Sequence, residues 1–168
     1  GTAEPALEDI TISSFLARTV SRHGNRDACI FSEFGERWTW DQLAQKVDQL
    51  SAGLLALGIY KGDRVGIWAP NRPEWVLTQF ATARIGAILV NINPAYGMHE
   101  LEYAMNLAGI SVLVTADRFK ASDYRKTLYD LAPELKTCEP GETKARRLQD
   151  LRAVINLDTD KHDGMWTW

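Results

Sequence analysis

The sequence lacks an excess of positive charge: across 168 residues, 19 lysines and arginines face 22 aspartates and glutamates, for a formal net charge of −3. Nucleic-acid binding rests on a basic footprint that neutralises phosphates, so that class of function is set aside. Cysteine is scarce as well. Cys29 and Cys138 stand far apart and match no metal-ligand spacing, which argues against a disulfide scaffold and suits a reducing compartment. No apolar run approaches the roughly 20 residues of a membrane span. The first ten residues, GTAEPALEDI, carry three acids and no base, unlike a secretory or Arg-rich transit segment. The expected location is cytoplasmic or matrix-facing.

Several catalytic signatures are missing too. The chain contains no GxxxxGK[ST] loop, CxxC pair, HExxH helix or GxSxG elbow. Of its histidines, His23 closes a predicted helix, His99 lies in a first helical turn and His162 lies in the acidic TDKHDG loop. Each reads as structural, and no catalytic residue or metal ligand is assigned. Cys29, beside Ile30 and Phe31, reads as a small buried hydrophobe, whereas Cys138 falls in a loop and is expected to be accessible. The run Lys144-Ala145-Arg146-Arg147 reads as a solvated face.

What is present is the composition of a packed protein, 45% hydrophobic with six tryptophans. A chain of this length is expected to fold as one unit, residues 1–168, burying roughly 70% of the surface of its unfolded form. Periodicity predicts a helix over 12–23 with Phe15, Leu16 and Val20 on one side, then a hairpin turning at Gly35. Thr39-Trp40-Asp41-Gln42 has the form of a capping box, and Trp40, Leu43, Ala44, Val47, Leu50, Leu54 and Leu57 follow at helical spacing. Gly58 ends that helix.

The stretch GIYKGDRVGIWAPNRPEW invites comparison with a dinucleotide fingerprint, whose glycines must follow a strand and open a helix. Here the order is reversed. Gly58 ends a helix, Gly62 turns the chain and Gly66 lies within a predicted strand over 64–69, so no phosphate cradle is expected. Beyond it, Pro70-Asn71-Arg72-Pro73-Glu74 supplies a predicted capping asparagine, a first-turn proline and an acid for a helix ending at Gly86. AILVNI then reads as a strand buried on both faces. A helix over 98–108, the strand SVLVT, a helix over 119–131, a polar stretch and the strand AVINL complete the pattern. The fold class is therefore α/β, a mostly parallel sheet with helices on both faces and a small N-terminal hairpin.

With those elements placed, the residues resemble the N-terminal part of the adenylate-forming acyl-CoA synthetases. Trp38-Thr39-Trp40-Asp41-Gln42-Leu43 is similar to the family's first core motif, LGIYKGDRVGIWAPNRPEW to a strand and turn, and ARIGAILVNINPAY to its second core motif. HELEYAMNLAGISVLV and ELKTCEPGETKARRLQDL resemble the fatty-acyl-CoA ligase branch that includes mitochondrial medium-chain enzymes.

The resemblance implies a two-step ligase using ATP, CoA and Mg²⁺, in which a fatty acid is adenylated and the CoA thiol then displaces AMP. It also implies that the chain corresponds to about the first third of such an enzyme. The Ser/Thr/Gly-rich phosphate loop, the adenine and ribose motifs, the hinge and the C-terminal lysine have no counterpart in these residues. The chain alone is thus expected to be inactive and to bind no cofactor tightly. Asn93, Pro94 and Tyr96, at the carboxyl edge of a predicted parallel strand, are the candidate CoA-facing residues, although Ala95 and Gly97 stand where the family often carries an arginine.

Two other classes remain open at this level. A flavodoxin-like or receiver-like binding module has the same alternation, but a receiver needs clustered acids at strand ends, and Ala69-Pro70-Asn71 and Asn91-Ile92-Asn93 supply none. Self-association through an apolar edge, with Trp166 and Trp168 nearby, is the other. Within the family, an aryl-acid or amino-acid-activating relative is a further alternative.

Overall fold

The computed structural model describes residues 8–168. Helix α1, Ile12–His23, starts where Thr11 Oγ1 accepts the Ser14 N–H at 3.1 Å, and it buries Leu16. Phe15, expected beside Leu16, points outward and is 54% exposed. Strands β1, Asp27–Phe31, and β2, Glu36–Thr39, form the antiparallel hairpin, closed by Gly35 in the left-handed region at φ 65°. Helix α2, Trp40–Ala56, opens on the expected capping box: Thr39 Oγ1 accepts from Gln42 N at 3.3 Å, and Gln42 Oε1 accepts from Thr39 N at 2.9 Å. Leu43, Val47 and Leu54 are buried along its inner face, each worth about 1.5–3 kcal/mol of transfer free energy.

The alternating unit follows: β3, Arg64–Trp68; α3, Pro73–Ile85; β4, Ile88–Asn91; α4, Met98–Ala108; and β5, Val112–Thr115. Next come a miniature hairpin of β6, Arg118–Phe119, and β7, Ser122–Asp123, then α5, Tyr124–Leu131. Strands β8, Ala153–Asn156, and β9, Met165–Thr167, complete the order. Strands β4-β3-β5-β8-β9 lie side by side in that order, and every pairing is parallel. Right-handed crossovers put α3 on one face and α4 and α5 on the other, because the chain steps from β3 to β4 and then back across β3 to β5. Packing of α2 on α3, and of α4 on α5, agrees with two helical layers.

Three local expectations are corrected, and one strand is added. Asn71 does not cap α3; the N-cap is Arg72, extended at φ −158°, with Pro73 at the first helical position. The AILVNI run is the sheet's edge strand and is not buried on both faces: Ile88 is 51% exposed. The predicted helix over 119–131 begins only at Tyr124, because Lys120, at φ 54°, turns the chain back so that Arg118–Phe119 pairs with Ser122–Asp123. Finally, MWT forms a fifth parallel strand that its three residues do not announce.

The core lies where the central strands are apolar on both faces. All four residues of β5 and of β8 are buried, as are Val65, Gly66, Ile67 and Trp68 of β3. Gly66 is required for close approach: a Cβ there would lie 2.9 Å from Ile110 Cδ1 and 3.2 Å from Ile92 Cδ1. That is its role in the GIYKGDRVGIWAPNRPEW stretch, with Gly58 and Gly62 serving as left-handed turn residues at φ 74° and 91°.

Candidate functional site

Counting the sheet strands from β3, the order is 2-1-3-4-5, and the direction of winding reverses between β3 and β5. Doubly wound sheets bind ligands at that reversal, in the crevice beyond the carboxyl ends of the strands. Four segments meet there: Ala69–Glu74 after β3, Ile92–Gly97 after β4, Ala116–Asp117 after β5, and Leu157–Asp158 after β8.

Arg72 reaches from the segment after β3 across the end of β5 to the segment after β8. Its Nε and Nη2 donate to the two carboxylate oxygens of Glu74 at 2.8 and 3.1 Å, its Nη1 donates to Asp158 Oδ1 at 3.0 Å, and Nη2 also donates to the Leu157 carbonyl at 3.0 Å. Burial opposes the guanidinium charge, but these hydrogen bonds outweigh it and push the Arg72 pKa further up. The second oxygen of Asp158 accepts the Asp117 N–H at 2.6 Å. Asp117 Oδ1 in turn accepts from Asn156 Nδ2 at 2.6 Å and lies 2.8 Å from His162 Nε2. Which partner donates in that contact follows from the tautomer of the imidazole. The side chain of His162, read from sequence as an isolated loop residue, is thus only 7% exposed and bound into the strand ends.

Acids do cluster at strand ends, contrary to expectation, but at β5 and β8 rather than at β3 and β4. The signal was legible: Asp117 and Asp158 each stand two residues beyond their strand's last residue, and those last residues, Thr115 and Asn156, are register partners. The neighbouring donors occupy three of their four carboxylate oxygens.

The predicted residues Asn93, Pro94 and Tyr96 are brought together in one turn after β4. Asn93 Oδ1 accepts the Ala95 N–H at 2.9 Å, and the Asn93 carbonyl accepts the Tyr96 N–H at 3.1 Å. The Tyr96 ring is 37% exposed and Asn93 faces solvent. Beneath the turn, Trp68 Nε1 donates to the Asn93 carbonyl at 3.2 Å and the Tyr124 hydroxyl donates to the Pro94 carbonyl. Burial pushes the Tyr124 phenol up to about 12, so it stays a neutral donor throughout the ordinary pH range. Ala95 and Gly97 add no side-chain cation to the turn.

The other candidates take structural places. Trp75 Nε1 donates to the carbonyls of Ala69 and Pro70 at 3.2 and 3.0 Å, bracing the turn before α3. Cys29 is half-buried, and burial pushes its thiol pKa up, away from the reactive thiolate. Cys138 is also half-buried rather than open. In the basic run, Ala145 is buried and Arg147 forms a two-pronged contact with Glu102 at 2.8 and 2.5 Å on α4, which lowers the Glu102 pKa.

The donor set decides which groups these residues fit. Among the described residues no cluster of three or more His, Cys, Asp or Glu side chains is placed to hold a metal ion. Asp117 and Asp158 are turned toward protein donors, so Mg²⁺ finds no ligand set here. Arg72 is already paired with Glu74 and Asp158, so its guanidinium is not free for a triphosphate. The β4 turn is different: Asn93 and Tyr96 are both exposed there.

Residues 16–164 match the family described as AMP-binding enzyme. The chain belongs to the AMP-binding enzymes. This AMP-binding chain is 42% identical over 161 residues to the medium-chain acyl-CoA ligase ACSF2, mitochondrial, of Danio rerio. It is 40% identical over 158 residues to the Homo sapiens protein of the same name. These matches take in 96% and 94% of the chain but only 27% and 26% of the relatives, so the chain spans about a quarter of their length. Acetoacetyl-CoA synthetase from Streptomyces lividans superposes with a TM-score of 0.73 at 29% identity, over 95% of this chain and 24% of that one. The anthranilate CoA ligase AuaEII, in complex with anthranoyl-AMP, gives 0.76 at 20% identity over 94% and 26%, a likeness of fold alone. The expected α/β class and the resemblance to the N-terminal part of an acyl-CoA synthetase are both borne out. Among the described residues, no helix is long and apolar enough to cross a membrane.

Proposed function

We propose that residues 1–168 form one unit, the N-terminal part of the AMP-binding domain of an ATP-dependent acid–thiol ligase acting on medium-chain fatty acids. In that reaction the fatty carboxylate attacks the α-phosphate of ATP, giving acyl-adenylate and pyrophosphate. The CoA thiol then attacks the acyl carbon and AMP leaves. Identity to two medium-chain acyl-CoA ligases across almost the whole chain is the observation that carries this reading.

The unit's own contribution is a scaffold that is catalytically silent when alone. Bringing two anions together requires cations and aligned N–H donors, and the crevice cation is already neutralised by Glu74 and Asp158. What the unit offers a ligand is the turn after β4, where Asn93, Pro94 and Tyr96 face CoA. The amide and the phenol hydroxyl are suited to the polar pantetheine and nucleotide portions. Its setting is a reducing one, the cytoplasm or the mitochondrial matrix, in keeping with two free cysteines.

Fatty-acid-dependent release of pyrophosphate and formation of acyl-CoA by the natural protein that carries this chain tests the activity. Octanoate consumption with stoichiometric AMP supports it; activity confined to aromatic or amino acids overturns the substrate assignment. Self-association is a second reading, suggested by Trp166 within the outer strand β9 and Trp168 just past it, 43% and 40% exposed. Sedimentation velocity decides it, a strict monomer at high concentration counting against.

A further inference from the structure

The turn that presents Asn93 and Tyr96 leaves few backbone groups to choose their own partners. Pro94 has no N–H. The N–H groups of Ala95 and Tyr96 are satisfied within the turn, by Asn93 Oδ1 and the Asn93 carbonyl. From below, the Asn93 carbonyl, which also accepts the Tyr96 N–H, and the Pro94 carbonyl each meet an aromatic donor: Trp68 Nε1 on Asn93 and the Tyr124 hydroxyl on Pro94.

These two donors are a pair. The Trp68 and Tyr124 rings stack with centroids 3.6 Å apart and an interplanar angle of 14°, and they are 1% and 0% exposed. Trp68 ends β3, whereas Tyr124 opens α5, so the stack joins two elements on either side of the winding reversal. Tyr124 is also fixed through its backbone, its N–H donating at 2.9 Å to the carbonyl of Asp117, whose side chain holds Asn156 and His162. The β4 turn is thereby keyed to the strand ends of β3, β5 and β8.

A packing role alone does not call for this chemistry. Phenylalanine at position 124 would keep the stack and fill nearly the same space. The polar ends cost desolvation, which is recovered only through the carbonyls they meet. Their placement on consecutive carbonyls fixes the turn's height and rotation, and hence the direction of Asn93 and Tyr96.

We propose that Trp68 and Tyr124 are positioning residues for CoA, a stacked donor pair that sets the Asn93–Tyr96 turn in its ligand-facing geometry by holding two successive carbonyls. The proposal rests on the reading of that turn as CoA-facing. It predicts that deleting one donor while keeping the ring weakens CoA recognition and spares the adenylation half-reaction.

Tyr124→Phe and Trp68→Phe are introduced into the natural protein that carries this chain, with Tyr96→Ala as the reporter of the underlying reading. Steady-state kinetics give KM for CoA and for ATP separately, and hydrogen exchange at the Ala95 and Tyr96 amides reports the turn. The expected result for Tyr124→Phe is faster exchange at both amides and a KM for CoA raised about tenfold, the upper order for loss of one hydrogen bond, with KM for ATP unchanged. Trp68→Phe, which also trims the buried indole to a smaller ring, gives the same split where it folds, and a folding defect there leaves Tyr124→Phe to decide. A raised KM for CoA in Tyr96→Ala, with unchanged values in both donor variants, overturns the positioning role while leaving the CoA-facing turn intact. An unchanged KM in Tyr96→Ala removes the CoA-facing reading and the proposal with it. Equal loss toward ATP and CoA in both donor variants likewise overturns it, marking the pair as core.

Discussion

Arg72 and Asp158 meet at 3.0 Å although 86 residues separate them, and their contact bridges the carboxyl ends of β3 and β8. Because Arg72 also grips Glu74 and the Leu157 carbonyl, a single guanidinium neutralises two acids in the crevice. Arg72→Met should therefore leave two carboxylates uncompensated and cost about 2–4 kcal/mol in urea unfolding. The exposed pair Arg37–Asp27 is the control, and Arg37→Met should cost at most about 1 kcal/mol. Equal effects at the two sites would remove the structural role given to Arg72.

Glycine substitutions should divide by what a new Cβ meets. Gly66→Ala pushes a methyl to 2.9 Å from Ile110 Cδ1 and 3.0 Å from its Cγ2, between packed strands, and should destabilise by about 1–3 kcal/mol. Gly53 lies inside α2 with nothing within 4 Å of the same position. Gly53→Ala should stabilise by roughly 0.5–1 kcal/mol through helix propensity and the reduced entropy of the unfolded chain. Thermal unfolding of the two variants checks both signs.

Stability should decline in alkali in a way that Tyr124 partly sets. Burial raises its phenol from 10.0 to about 12, so the folded state binds the proton more tightly than the unfolded one. The stabilisation is fully present below pH 10 and is lost as pH climbs toward 12. Tyr129 and the Cys29 thiol, also raised by burial, contribute in the same direction. Urea midpoints measured from pH 8 upward should fall less steeply in Tyr124→Phe; a curve parallel to wild type would show that Tyr124 keeps its ordinary phenol pKa.

The legible parts of this fold are those written by local physics. The capping box at Thr39–Gln42 follows from side chains three residues apart, and β5 and β8 are short apolar runs between polar turns. The edge position of β4 was hidden because its residues are as apolar as those of a central strand; neighbours decide that, not sequence. The helix cap misled because Arg72, drawn toward Glu74 and Asp158, displaced the better capping residue, Asn71. The β6–β7 hairpin was missed because Phe119 suits the start of a helix and only the turn at Lys120 prevents it.

The site divides the same way. Asn93, Pro94 and Tyr96 are neighbours in sequence, so their turn was predictable from Asn-Pro chemistry. The pieces beneath it come from distant segments: Trp68 reaches across 25 residues and Tyr124 across 30. His162 reaches Asp117 across 45. No local pattern announces those meetings, except the matching acids two residues past β5 and β8.

The central claim is that residues 1–168 supply the supporting sheet and the CoA-facing turn of a fatty-acyl ligase without the charge-neutralising machinery of adenylation. Fatty-acid-dependent ATP–pyrophosphate exchange, measured with Mg²⁺ on the purified chain and on the natural protein that carries it, tests that claim most directly. The account predicts exchange above background for the natural protein and none for the chain alone. Exchange by the chain alone, dependent on added fatty acid, would contradict it.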